Sequence, residues 1–444
     1  MIDRQLYRAQ KAIEANDNHQ ASLALALAAQ SAPWRKDLWE QAGIYAFEDG
    51  RYQTAKSYLL QIDNPADLSS KGLTALGDIA QFDGDLEYAI QLWEQALKAG
   101  NGRIELNTRL AEAYHVLGDF DKVIQHLTEL VKLNPTGSAS NYQLGLMLAA
   151  TEPESSLAYL SLATELDPEL SSKTSSLIRN IRYARSIDDP SYALVAAGQS
   201  LLSIEEWELA EIALSNATRL NPEYAEAWAY LGEALQKNGE NGQEELEKAL
   251  SIDPNSVAAN TLMGLYWQRQ ERFDLALTYL HAAAKFDDLN PALQAEIGNT
   301  LGLLGNISGA ESHYRRAAAL SPNDSTYWRI LAEFHIKYEL KLRDEGLAAA
   351  RQAVILDPED PASLDAMAQI YLLLDSPLIA RRFLDRAIAA DDKFAPAYLH
   401  LGLIHILTGE PLLAFQRFSI AKTLSPPDSQ TAAQATRLLE TYFP

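Results

Sequence analysis

The chain contains no cysteine. Disulfides, thiolate nucleophiles and cysteine-based zinc sites are therefore excluded. Glycine (22) and proline (18) are sparse over 444 residues, so the chain is neither a linker nor a disordered tract. No apolar run approaches the roughly 18–20 residues that cross a bilayer, and no membrane insertion is expected. The first eight residues, Met1 to Arg8, lack the basic start, apolar core and cleavage site of a signal peptide, so the cytoplasm is the expected location. Positive charge is also scarce: 37 basic residues face 60 acidic ones, a net charge of −23. Through Pro190 there are 17 basic and 26 acidic residues (−9), and after it 20 and 34 (−14). Acidity spread this evenly serves solubility and repels a phosphate backbone, so nucleic acid is not an expected partner. Sustained period-two alternation is missing as well, which argues against a sheet.

Signatures of catalysis are equally scarce. The eight histidines (His19, His115, His126, His281, His313, His335, His400 and His405) form no H-E-x-x-H motif and no i, i+4 ligand pair. There is no G-x-S-x-G, phosphate loop or G-x-G-x-x-G. The pairs Asp287–Asp288 and Asp391–Asp392 fall in expected turns and read as caps. The expectation is no enzyme, no cofactor and no metal.

What the chain does have is a period. A small residue recurs at Ala9, Gly43, Gly77, Ala111 and Gly145, each step 34 residues. It resumes at Gly198, Gly232, Gly264, Gly298, Ala332, Ala368 and Gly402, with steps of 34, 32, 34, 34, 36 and 34. This makes twelve units, five before a break and seven after it. Alanines keep the same phase at Ala21, Ala55, Ala89, Ala210 and Ala276, and again at Ala28, Ala96, Ala217 and Ala283. Small residues in phase mark where helix backbones approach closely, and large ones such as Trp93, Trp228, Tyr314 and Phe418 fill the wider gaps. Gly50, Gly84, Gly118, Gly239, Gly305 and Gly409 are expected to end the first helix of their units in the left-handed conformation. Asp85, Asp119 and Asn306 follow as N-caps, and prolines such as Pro135, Pro222, Pro254 and Pro358 stop the second helices. His335 and His405 share phase with Tyr114, Trp267 and Tyr371, so both are expected in or near the core.

One unit shows the pattern most openly. Ala225–Pro254 places Trp228, Leu231, Gly232 and Leu235 on one helical face, breaks at Gly239, and carries Leu246, Ala249 and Leu250 on a second helix, two residues short, that Pro254 ends. This unit resembles a tetratricopeptide (TPR) repeat, W-x-x-L-G-x-x-Y followed by A-x-x-x-F and a terminal proline. The resemblance implies an all-α fold: a right-handed α–α superhelix, or solenoid, of about twelve helix–turn–helix repeats. It divides the chain into a five-repeat array (residues 2–168), a single intervening basic helix (169–190), a seven-repeat array (191–427) and a capping helix (428–444). Gln5 and Arg8 make the stretch from Met1 to Ile13 a polar lid on the first repeat.

In the TPR family the first helices line a concave groove that holds a partner peptide or protein. Carried onto this chain, the groove positions are Tyr142, Tyr192, Gln199, Glu233, Arg269, Asn299, Arg329, Leu372, Leu373, Leu399, Leu403 and Ile406. The Lys/Asn carboxylate clamp of chaperone-binding TPRs does not match, since its positions hold Leu6, Glu40 and Thr74 with Gln10, Ile44 and Asp78. The stretch Tyr398–Leu407 is apolar on nearly every side. Either the terminal helix or a tighter superhelix covers its inner face, or it forms a groove for a partner helix or a second copy. The intervening helix carries Lys173, Arg179, Arg182 and Arg185 with no acidic residue from Leu170 to Ile187. It reads as a packing helix whose arginines meet acidic neighbours, as a hinge, or as a basic patch for an acidic or phosphorylated partner. The function implied is a non-catalytic interaction scaffold or adaptor. The alternative is a self-associating scaffold, a homo-oligomer, or a subunit of a larger, cell-envelope complex.

Overall fold

The computed structural model describes residues 2–100 and 102–443. Met1, the start of the expected lid, and Pro444, the end of the expected capping helix, lie outside the described residues. Among the described residues there are 26 α-helices and no strand. The chain divides into two compact units, Met1–Pro222 and Glu223–Pro444. This division falls one helix pair after the intervening helix.

Each unit is a stack of helix pairs, and the punctuation follows the sequence. Seven residues beyond the recurring small position, eleven of the twelve repeats have a left-handed residue. Six are the expected glycines, and the others are Asn16, Glu205, Glu271, Glu339 and Asp375. Asp85, Asp119 and Asn306 accept the backbone N–H three residues on, at Tyr88, Lys122 and Gly309. At the far end of the pair, Asn134, Asn221, Asp253 and Asp357 cap the second helix with φ between −133° and −136°. Each precedes a proline, whose ring drives the residue before it out of the helical region.

The exposed corner at Glu271 is a side chain in a conformation that costs an L-residue about 1–2 kcal/mol. Glycine relieves that strain and forfeits part of it in chain entropy. Glu271→Gly is therefore expected to stabilise the protein by about 0.5–1 kcal/mol, read as a higher urea midpoint at unchanged slope. An unchanged or lower midpoint refutes the strain argument.

The recurring small residue is small for steric reasons. A Cβ at Gly43, Gly77, Gly198 or Gly264 would stand 2.6–2.7 Å from the side chain of Leu59, Trp93, Leu214 or Leu280 on the second helix of the same repeat. Those large side chains are fully buried. Each repeat thus locks a bulky residue of its second helix onto bare backbone of its first, and the next repeat closes the seam. The core is a chain of such seams.

Two repeats depart from 34 residues, and both adjust at the corner between helices. The step of 32 shortens the second helix to Gln243–Ile252, 10 residues, and Gly242 lies directly on the backbone of Gly232. The step of 36 adds a second left-handed residue, Lys341, and a π-helical turn, Leu342–Gly346.

The intervening helix is Ser171–Arg185. It packs between Pro153–Leu166 and Pro190–Ser203, burying Thr174, Leu177, Ile178, Ile181 and Ala184. Ile187, expected in the buried stripe, is 44% exposed beyond its end. The second helix after it, Trp207–Leu220, does not extend the stack in the regular way. It lies against Ser138–Thr151, where Asn216 Nδ2 donates to the Ala150 carbonyl at 3.2 Å.

The first helix, Ile2–Glu14, buries Ala9 and Ala12 and exposes Asp3, Arg4, Tyr7 and Arg8. The last, Gln430–Tyr442, buries Ala432 and Ala435 against the final repeat. His335 and His405 are both core residues, at 0% and 1% exposure.

Candidate functional site

Four of the expected apolar groove residues converge. Leu372 and Leu373 come from helix Pro361–Leu373, and Leu399 and Leu403 from Ala395–Leu407. With Ile336 and Leu438 they line a cleft of 430 Å³. The recurring phase explains the convergence: residues at equivalent turns of successive first helices must face the same side. Leu399 forms the buried floor, while Leu373 is 42% exposed at the rim. Gln369, Gln434 and Arg437 supply polar edges. Ile406 lies elsewhere, packed with Leu438, Leu439 and Phe443 under the terminal helix. Tyr398, Leu399 and Ile406 thus pack with the terminal helix, while Leu399 and Leu403 also border the cleft.

A charge is built into the cleft wall. His400 Nδ1 is 2.6 Å from Asp365 Oδ1, and Gln369 donates to Asp365 Oδ2 at 2.9 Å. Burial opposes charge on His400, but the Asp365 carboxylate outweighs it by proximity and hydrogen bonding, so its pKa is raised.

The expected polar groove residues of the second unit are largely engaged with each other. Arg269 forks onto Glu233 at 3.0 and 2.5 Å, joining two successive repeats. Glu233 is buried at 8% exposure, although its position suggested an open groove. Arg329 pairs with Glu333 at 2.7 Å and lies 3.7 Å from Asp360. Asn299 hydrogen-bonds Glu296, whose carboxyl is pushed up by burial.

In the first unit, Tyr142 lines a cleft of 570 Å³ together with Gln143 and Leu146. Glu206 and Leu209 of the folded-back segment stand on its far side. The Tyr142 hydroxyl is buried without a hydrogen-bond partner, and burial and then Glu206 push its pKa up. Tyr192 and Gln199, on helix Pro190–Ser203, are half-buried and do not line this cleft. Of the basic residues, Arg185 faces Glu154 at 3.5 Å and Arg182 donates to Ser161. Lys173 and Arg179 are exposed, with no ion pair among the described residues.

Two features escaped the sequence reading. One is a groove of 720 Å³ in the first unit, lined by Phe47, Tyr52, Phe82 and Ile104, with Phe82 71% exposed. Its signal was a large apolar residue, Phe82, five positions past the recurring glycine, where other repeats have Glu48 or Lys237. The other is a cluster in the second unit, Glu311, His335 and Glu345, with one ligand atom of each within 4.8 Å of the others. Its signal was the 36-residue step from Ala332 to Ala368.

Comparison with known proteins agrees with this architecture. Residues 195–257, which span the recurring glycines of the sixth and seventh repeats, match the family model for the tetratricopeptide repeat. The chain is 23% identical to anaphase-promoting complex subunit 3 of Schizosaccharomyces pombe, over 51% of this chain and 36% of that protein. It is also 23% identical to protein O-mannosyl-transferase TMTC3 of Homo sapiens, over 50% of this chain and 22% of that protein. The chain therefore spans little more than a third of the length of the first relative and less than a quarter of the second. The solved APC/C hetero-tetramer Cut9–Hcn1 aligns with 100% of this chain and 96% of its own, at 15% identity and a TM-score of 0.43. Residues 195–257 are thus a tetratricopeptide-repeat segment, and helix pairs in register, left-handed corners and phased small residues continue the same pattern on either side of it.

Proposed function

We propose that the protein is a non-catalytic interaction scaffold that holds an amphipathic helix of a partner protein in the cleft of its last repeats. The observation that carries this reading is the convergence of Leu372, Leu373, Leu399 and Leu403 on one open apolar surface with polar edges. An apolar stripe of a partner helix fits such a groove, with anchors three and four residues apart. Arg437 and the buried His400–Asp365 pair supply orientation at the rim. The overall charge of −23 favours partners with basic flanks. A cytoplasmic location and the lack of a reaction or cofactor belong to the same proposal; no helix of the described residues is long and apolar enough to cross a membrane. The helix Ser171–Arg185 is read as a packing element, because its apolar stripe is buried and Arg185 meets Glu154.

The test compares the full chain with Leu403→Asp and Leu373→Asp in affinity capture, followed by titration of the purified captured partner. The expected loss is about 2 kcal/mol, roughly thirty-fold in Kd. Leu412→Asp, at a residue 80% exposed away from the cleft, should bind as the parent does. Undiminished binding by a folded Leu403→Asp protein defeats the cleft assignment.

A second reading, self-association, draws on a different observation: the exposed Phe82 and Ile104 in the first unit's groove. Light scattering across concentrations separates the two. A protein that stays monomeric at the highest concentration removes self-association and leaves the cleft proposal standing.

A further inference from the structure

The geometry points to a divalent transition-metal site formed by His335 Nε2 and the carboxylates of Glu311 and Glu345. The three residues come from three elements: helix Ile307–Leu320, helix Ser325–Lys337 and the π-helical turn Leu342–Gly346. Their ligand atoms lie within 4.8 Å of one another. A metal ion at their centre would draw each in by a modest side-chain movement.

His335 is the decisive residue. It is fully buried, and its Nδ1 lies 3.0 Å from the Leu340 carbonyl. That carbonyl can only accept, so Nδ1 carries the proton and Nε2 presents its lone pair. Nε2 is buried and has no hydrogen-bond partner, and it stands 3.8 Å from Glu345 Oε2. A buried polar atom without a partner is costly. The arrangement is also how metal-binding histidines are held: the far ring nitrogen is tied to a carbonyl, leaving the near one free to ligate.

The turn that completes the site is the one place where this array departs from its period by addition. Two extra residues in the 36-residue repeat add a second left-handed residue, Lys341, beyond the regular corner at Glu339, and a π turn. Such turns recur at functional sites. Gly346 allows the turn to settle on the histidine, since a Cβ there would meet His335 Cβ at 3.1 Å. Glu345 is thereby swung back over His335.

Two cations now cover the carboxylates. Lys341 Nζ lies 2.7 Å from Glu311 Oε1 and 3.4 Å from Glu345 Oε1, and Arg315 pairs with both glutamates. Their side chains are 48% and 45% exposed. They can turn into solvent, whereas His335 cannot. One imidazole nitrogen with two carboxylate oxygens suits zinc, cobalt or nickel better than calcium or magnesium, which prefer oxygen alone. Displacing Lys341 opens the remaining coordination positions to water.

The experiment uses the full-length protein without an affinity tag, stripped with a chelator and titrated with Co²⁺ and Zn²⁺. Binding is followed by the visible absorption of Co²⁺ and by calorimetry. The expected result is one saturable site whose affinity falls by about tenfold or more in Glu345→Gln and in Glu311→Gln. Both changes are nearly isosteric at half-buried positions, and circular dichroism verifies the fold. Lys341→Met should bind metal more tightly than the parent, because the competing ammonium is gone. A purely structural ion-pair network would not produce that gain. The proposal is overturned if neither the parent nor Lys341→Met shows saturable binding. It is equally overturned if Glu345→Gln binds as tightly as the parent, since the metal would then sit on other histidines.

Discussion

Phe418→Ala is expected to destabilise the C-terminal repeats by about 3–5 kcal/mol. The ring is fully buried and packs directly on the backbone of Gly402, with Tyr398, Leu399 and Ala435 around it. The size of the effect follows from the recurring small residue. The first helix has no side chain at Gly402 that could relax into the hole, so the cavity persists. In a stack where each repeat touches only its neighbours, the damage should also be local. Hydrogen exchange should show lost protection over Ala395–Tyr442 first, with helices of the first unit unchanged. A loss below about 1 kcal/mol would mean the seam is not the unit of stability. Uniform deprotection of the whole chain would contradict the local coupling.

Trp93→Ala should be comparably severe, about 3–5 kcal/mol, but in the first unit. Trp93 is fully buried and fills the space that Gly77 leaves open. Its indole Nε1 also donates to Asp78 Oδ1 at 2.9 Å, and the same carboxylate holds Arg109 at 2.8 and 3.1 Å. Packing and hydrogen bonding can be separated by Trp93→Phe. That variant keeps much of the volume and loses only the donor, with Asp78 still satisfied by Arg109. Its expected penalty is about 1 kcal/mol beyond the small packing change. Urea unfolding of both variants provides the measurement. If Trp93→Phe is as damaging as Trp93→Ala, the hydrogen bond and not the packing dominates the seam.

The repeat itself was legible because its cause is local. A glycine at Gly77 or Gly402 and a bulky partner sixteen residues on are two ends of one close contact, and both appear in one short stretch. The corners were legible for the same reason where glycine marks them; Glu205 and Asp375 adopt the same conformation without that signal. The groove leucines came from the family resemblance, laid onto that phase. Phase says which side a residue faces, not what else arrives there. Nothing in the repeat pattern announces that Trp207–Leu220 folds onto Ser138–Thr151 and places Glu206 opposite Tyr142. Nor does phase reveal that Glu233 faces a groove only to be taken by Arg269 one repeat later. The cluster around His335 was hidden because its third member sits in a π turn that no periodic template contains, although the two extra residues marked the place.

The helix Gln430–Tyr442 has a consequence beyond packing. The surface it covers on the final repeat is of the same kind that each earlier repeat presents to its successor. Left bare, that surface would accept the leading helices of another copy, and each copy added would expose the same surface again. Growth of that sort never closes on itself and yields filaments. The helix lays Ala432 and Ala435 on that surface, turns Gln434 and Arg437 to the cleft, and leaves Glu440 exposed. A helix seated there occupies the surface on which another copy would add, as a chain terminator does in the polymer chemist's sense.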